Sequence, residues 1–131
     1  MKLNSLTPCC TVEAIEPSLP FWIDRLGFTK VSEVPHNGSL AFVILVRDET
    51  SVMLQTRASV AQDLPFMADT PLGGGVMLFI NVEDLDPVLR AVEGADIVVP
   101  ERTTFYGMRE VWVRSPGGMI IGFAQRVEED D

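Results

Sequence analysis

The chain has 131 residues, 47% hydrophobic and 22% charged, a composition that suits one ordinary globular domain and excludes disordered and fibrous classes. Ten basic residues stand against 19 acidic ones, a net charge of −9 that repels phosphate backbones and anionic headgroups and argues against nucleic acid as a partner. The longest apolar runs, 40–46 and 76–80, have strand length, whereas a spanning helix needs about 20 apolar residues, so no membrane segment is expected.

Residues 1–6 carry one Lys and no apolar run of signal-peptide length, which places the chain in the cytoplasm as an expectation. Residues 6–15 read as an apolar strand that runs into Glu16-Pro17. An acidic residue followed by Pro suits a helix start, because the missing proline N–H would be an orphan there and the carboxylate complements the dipole. A helix is therefore predicted over 17–26, ending at Gly27 as a left-handed C-cap prefers. Three strands follow, over 28–34, 40–46 and 51–56, separated by turns at Pro35-His36-Asn37-Gly38 and Arg47-Asp48-Glu49.

Residues 57–75 are polar, contain Pro and Gly and show no clear period, so they are expected to be a connecting linker, with a flap as the alternative. The second half then repeats the order. A strand over 76–82 runs into Asp86-Pro87, a helix covers 87–93 and ends at Gly94, and strands cover 96–99, 108–114 and 119–125, with Ser115-Pro116-Gly117-Gly118 turning the last hairpin. Residues 127–131, with four acidic side chains at 128–131, read as a solvated tail.

The two halves match each other directly. Thr11-Val-Glu-Ala-Ile-Glu-Pro-Ser-Leu aligns with Asn81-Val-Glu-Asp-Leu-Asp-Pro-Val-Leu at an offset of 70 residues. The pattern is βαβββ twice, an α+β class with one module over about 5–56 and another over about 76–126.

Cys9 and Cys10 are adjacent, so their side chains point to opposite strand faces and read as free thiols. With a single His, no Cys/His metal cluster can be assembled. That residue, His36, falls in a turn where exposure is expected rather than a catalytic-base environment. The Gly73-Gly74-Gly75 stretch lacks the Lys and Ser/Thr of a phosphate loop.

Two segments, Phe21-Trp-Ile-Asp-Arg-Leu-Gly-Phe and Tyr106-Gly-Met-Arg-Glu-Val-Trp-Val-Arg-Ser-Pro-Gly-Gly-Met-Ile-Ile-Gly-Phe, resemble the vicinal oxygen chelate superfamily of glyoxalase I, extradiol dioxygenases and bleomycin-resistance proteins. The resemblance implies two βαβββ modules forming a curved mixed sheet around a cleft. It also implies up to four metal-ligand positions, on the first and last strands of the modules, which fall at Thr7, Gln55, Met77 and Gly122. Only Gln55 is a plausible ligand there, whereas divalent-metal catalysis needs about three protein donors. The pattern is closest to metal-free bleomycin-resistance-like members, which implies no cofactor.

Strand alternation and the resemblance together give the expected ligand-binding residues as Cys9, Met53, Gln55, Met77, Phe79, Glu110, Trp112 and Ile120, with no catalytic residue. Trp112 and Phe79 could stack on a flat ligand, and Glu110 could pair with its charge. The alternative for the aromatics is core packing, and for Glu110, flanked by Arg109, a surface or interface ion pair. The expected partner is thus a small hydrophobic or aromatic, cationic ligand such as an antibiotic, held by a homodimer. Two other readings stand beside this one: a lyase, isomerase or dioxygenase of the same superfamily, and an accessory subunit whose cleft is filled by its own side chains.

Overall fold

The computed structural model describes residues 1–127, so the acidic run at 128–131 lies outside the described residues. The chain forms two compact units that divide between Leu72 and Gly73. Among the described residues no helix is long and apolar enough to cross a membrane.

In the first unit, β1 (Cys9–Val12), β2 (Thr29–His36), β3 (Ser39–Arg47) and β4 (Thr50–Thr56) form one sheet in the order β1-β4-β3-β2. The pair β1-β4 is parallel, and β2, β3 and β4 form an antiparallel meander. Alternate residues Cys10, Val12, Val43, Leu45, Val52 and Leu54 are buried, as the two-residue side-chain period of a half-buried sheet dictates. The segment between β1 and β2 adds Ile15, Phe21 and Trp22 to the buried set.

That segment corrects the expected helix over 17–26. It is a 3-10 turn at Glu16–Ser18 followed by a π-helix at Pro20–Arg25. The reason is Pro20, which has no N–H to continue the ladder and instead starts a new, wider turn. The wide turn ends with Leu26 N–H donating to Phe21 O at 3.2 Å and Phe28 N–H donating to Trp22 O at 2.9 Å. Gly27 closes it at φ +74°, where the Arg47 guanidinium lies beside it and donates to Leu26 O.

A second correction concerns 57–75. Its first seven residues, Arg57–Asp63, form α1, whose Thr56 N-cap hydroxyl accepts from Ser59 N–H at 3.2 Å and whose Val60 is buried. A 3-10 turn at Pro65–Met67 follows.

The second unit repeats the plan with β5 (Met77–Asn81), α2 (Asp86–Ala91), β6 (Asp96–Thr103), β7 (Met108–Arg114) and β8 (Ile120–Arg126), in the order β5-β8-β7-β6. Here Pro87 enters the helix at its start, as expected, and Gly94 follows its end at φ +82°. Val111, Val113, Ile121 and Phe123 are buried from the sheet, with Leu85 and Val92 from the helical segment. The expected strand over 96–99 is twice as long and contains Pro100, which an edge strand tolerates. The fold is α+β, with a four-stranded mixed sheet in each unit. The first strands are shorter than the sequence suggested: β1 starts at Cys9 and not at residue 6.

Candidate functional site

The register of the second sheet arranges its non-helix face in rows. Phe79 pairs with Gly122, Gly122 with Trp112 and Trp112 with Val99, so these four residues form one row across β5, β8, β7 and β6. The next row runs Asn81, Ala124, Glu110 and Arg102, and the preceding one begins Met77, Ile120.

In the first row Gly122 makes room for an indole. A Cβ built there would lie 2.6 to 2.7 Å from three Trp112 ring atoms. Trp112 therefore lies against the Gly122 backbone, with the Phe79 ring 6.0 Å away and tilted by 43°. Phe79 remains 48% exposed and Met77 63%. An aromatic pair at this separation with an exposed member is a surface on which a flat ring can be held.

In the next row, beside the indole, Glu110 is only 1% exposed. Its Oε1 accepts from Trp112 Nε1 at 3.0 Å and from Arg102 Nε at 2.9 Å, and Arg102 Nη2 lies 2.8 Å from it as an ion pair. Its Oε2 is buried and has no hydrogen-bond partner among the described residues. A buried carboxylate oxygen left unpaired costs about 1–3 kcal/mol or more, so it is a strong acceptor for any donor that reaches it.

Arg102 owes its place to a bulge. In a regular ladder, Val99 opposite Trp112 would put Glu101 opposite Glu110, a like-charge pair. One extra residue on β6 puts Arg102 there instead and turns Glu101 to the other face, where it accepts from Arg109 Nε. Arg109 also donates to Asp86 Oδ1 at 2.7 Å. Glu110 is therefore buried in the chain and ion-paired with Arg102, not with its neighbour Arg109. Arg102 was missed by sequence reasoning because the strand was expected to end at Val99; Pro100 beside two charged residues was the available signal of an edge bulge.

The remaining expected residues gather in the first unit. Cys9 pairs with Met53 and Thr11 with Gln55 across β1-β4. The Cys9 thiol donates to Gln55 Oε1 at 3.7 Å, and Gln55 Nε2 donates to Ser59 Oγ at 3.0 Å, so the amide is held at both ends. Burial raises the pKa of Cys9, and burial followed by the charge of Cys9 pushes Cys10 up to about 11. Both thiols are free, and neither has the lowered pKa of a nucleophile.

The register also revises the four ligand positions. Cys9 opposite Met53 corresponds to Phe79 opposite Gly122, so the counterpart of Gly122 is Met53, and Gln55 matches Ala124. Thr7 precedes β1 altogether. In either register the positions offer too few donors, and among the described residues no group of three His, Cys, Asp or Glu could hold a metal. The residues present do not fit the divalent ion of the metal-dependent enzymes.

The sequence model of the Glyoxalase/Bleomycin resistance protein/Dioxygenase superfamily matches residues 3–123. The chain belongs to this superfamily. Among solved structures, a glyoxalase/bleomycin resistance protein/dioxygenase from Nocardioides is similar over 100% of this chain and 89% of its own, at 18% identity and a TM-score of 0.77. TnmS3, an antibiotic binding protein from Streptomyces sp. CB03234, is similar over 96% of this chain and 99% of its own, at 19% identity and a TM-score of 0.66. The bleomycin-binding protein from bleomycin-producing Streptomyces verticillus, solved with copper(II)-bleomycin, is similar over 98% and 99%, at 21% identity and a TM-score of 0.64. At these identities the likeness is one of fold. No curated protein matches the sequence.

Proposed function

We propose that this member of the glyoxalase/bleomycin-resistance superfamily is a metal-independent binding protein for a small, flat, hydrophobic or aromatic compound, of which antibiotic sequestration is one use. The observation that carries the reading is the Trp112 indole, seated on Gly122 beside the half-exposed Phe79 and hydrogen-bonded to the buried Glu110 carboxylate. The ligand ring stacks on Phe79 and Trp112, Met77 and Ile120 extend the apolar surface, and Glu110 orients a polar group. Sites of this kind combine apolar walls with a few fixed polar groups. Cys9, Met53 and Gln55 form a separate, more polar candidate contact set in the first unit, and the working form is a cytoplasmic homodimer. Two structural neighbours are an antibiotic binding protein and a bleomycin-binding protein, which supports the same class for this chain.

A thermal-shift screen tests the reading, since a ligand that binds only the folded state raises its melting temperature by mass action. Chelator-treated protein is exposed to Ni²⁺, Zn²⁺, Mn²⁺ and Fe²⁺ in one arm and to glycopeptide, quinone and intercalating antibiotics and glutathione conjugates in the other. A shift with a flat organic compound and none with metals is expected. A shift with a divalent metal alone would overturn it in favour of the enzyme reading.

A further inference from the structure

Among the described residues Glu110 is the one acidic side chain in the buried set, and the two oxygens of its carboxylate are unlike. Oε1 accepts two N–H groups, from Arg102 and Trp112, and lies in an ion pair with the Arg102 guanidinium, while Oε2 has no hydrogen-bond partner. Arg102 thus compensates the charge of the carboxylate without using the second oxygen. A cation approaching this site meets a guanidinium already in place and gains little net attraction. A neutral N–H or O–H group meets no repulsion and finds a free acceptor.

We propose that Arg102 sets the charge class of the ligand, so that the Phe79–Trp112 site selects a neutral hydrogen-bond donor on the edge of an aromatic ring over a cation. This rests on the binding reading above and replaces the cationic ligand expected from the sequence with a neutral donor. Oε2 is covered, so the donor reaches it as a neighbouring side chain shifts, while Arg102 stays on Oε1 and keeps the charge compensated. Arg102 is a positioning residue: it acts on the ligand through Glu110.

The test is an NMR titration of the full chain with three probes: indole, which has an N–H donor; 1-methylindole, which lacks it; and N-methylquinolinium, a flat cation with no donor. The wild type is expected to bind indole about tenfold tighter than 1-methylindole, the effect of one hydrogen bond of about 1.4 kcal/mol, and the cation no better than 1-methylindole. Arg102→Gln uncovers the carboxylate charge and raises affinity for the cation about tenfold relative to 1-methylindole, while Arg102→Lys keeps the wild-type order. Equal binding of the two indoles, preference for the cation in the wild type, or identical behaviour of the Gln and Lys variants would overturn the inference. In each of those cases the binding reading stands if Trp112→Ala abolishes the binding; probes that bind neither protein would overturn both.

Discussion

The indole of Trp112 occupies the space that a side chain at Gly122 would take, directly across the β7-β8 ladder. Any Cβ at Gly122 must therefore push the ring away, and the ring cannot flex as a long aliphatic chain would. Gly122→Ala should destabilise the fold by about 1–3 kcal/mol through this overpacking, and should weaken ligand binding as well. Denaturant melts measure the first effect and calorimetric titration the second. Unchanged stability and affinity would show that the indole has another resting place.

Trp22 is 1% exposed and has edge-on contacts with both Phe21 and Phe28, at 5.4 and 5.1 Å between ring centroids. Removing it empties the largest fully buried side chain of the first unit. Trp22→Ala is expected to cost about 3–5 kcal/mol in urea unfolding, with no specific effect on ligand selectivity in the fraction that stays folded.

Arg57 fastens the segment after α1. Its Nη1 donates to Ala68 O at 3.1 Å and Thr70 O at 2.9 Å, and its Nε to Glu13 at 2.9 Å. Arg57→Ala leaves those carbonyls without their donor, so limited proteolysis should cut between residues 64 and 72 faster than in the wild type. Equal cleavage rates would mean that the turn at Pro65–Met67 holds the segment unaided.

Cys10 keeps its proton in the folded chain up to about pH 11, against 9.0 for an ordinary thiol. Its folded pKa lies above the unfolded one, so its contribution to stability is complete below pH 9.0 and is lost as the pH rises through about 11. The difference in unfolding free energy between wild type and Cys10→Ala should therefore narrow across that window. A difference that stays constant would mean the thiol titrates alike in both states.

The repeat made most of the fold legible. Glu16-Pro17 and Asp86-Pro87 sit at equivalent strand-to-helix junctions, and a side-chain period of two marked the faces of β3, β4, β7 and β8. What escaped was set by local competition. Pro20 interrupts the helix that Glu16-Pro17 and Gly27 bracket, and α1 hides in a polar stretch where its Thr56 cap was the available sign. The candidate site was legible in part: Phe79 follows from alternation, Glu110 and Trp112 from the resemblance, and the three meet on one face. Arg102 does not, because a bulge shifts register by one residue and no periodicity encodes it. Glu110's true partner is therefore eight positions earlier in the chain and not its neighbour.

The two tryptophans allow the central claim to be tested in one experiment. In ¹⁵N-labelled protein the Nε1–H groups of Trp22 and Trp112 give two indole resonances, assigned with the Trp112→Ala variant. On titration with a flat compound that raises the melting temperature, the Trp112 resonance should move, since its Nε1–H donates to Glu110 within the proposed site, while the buried Trp22 stays fixed. Saturable binding that leaves the Trp112 resonance in place would contradict the account.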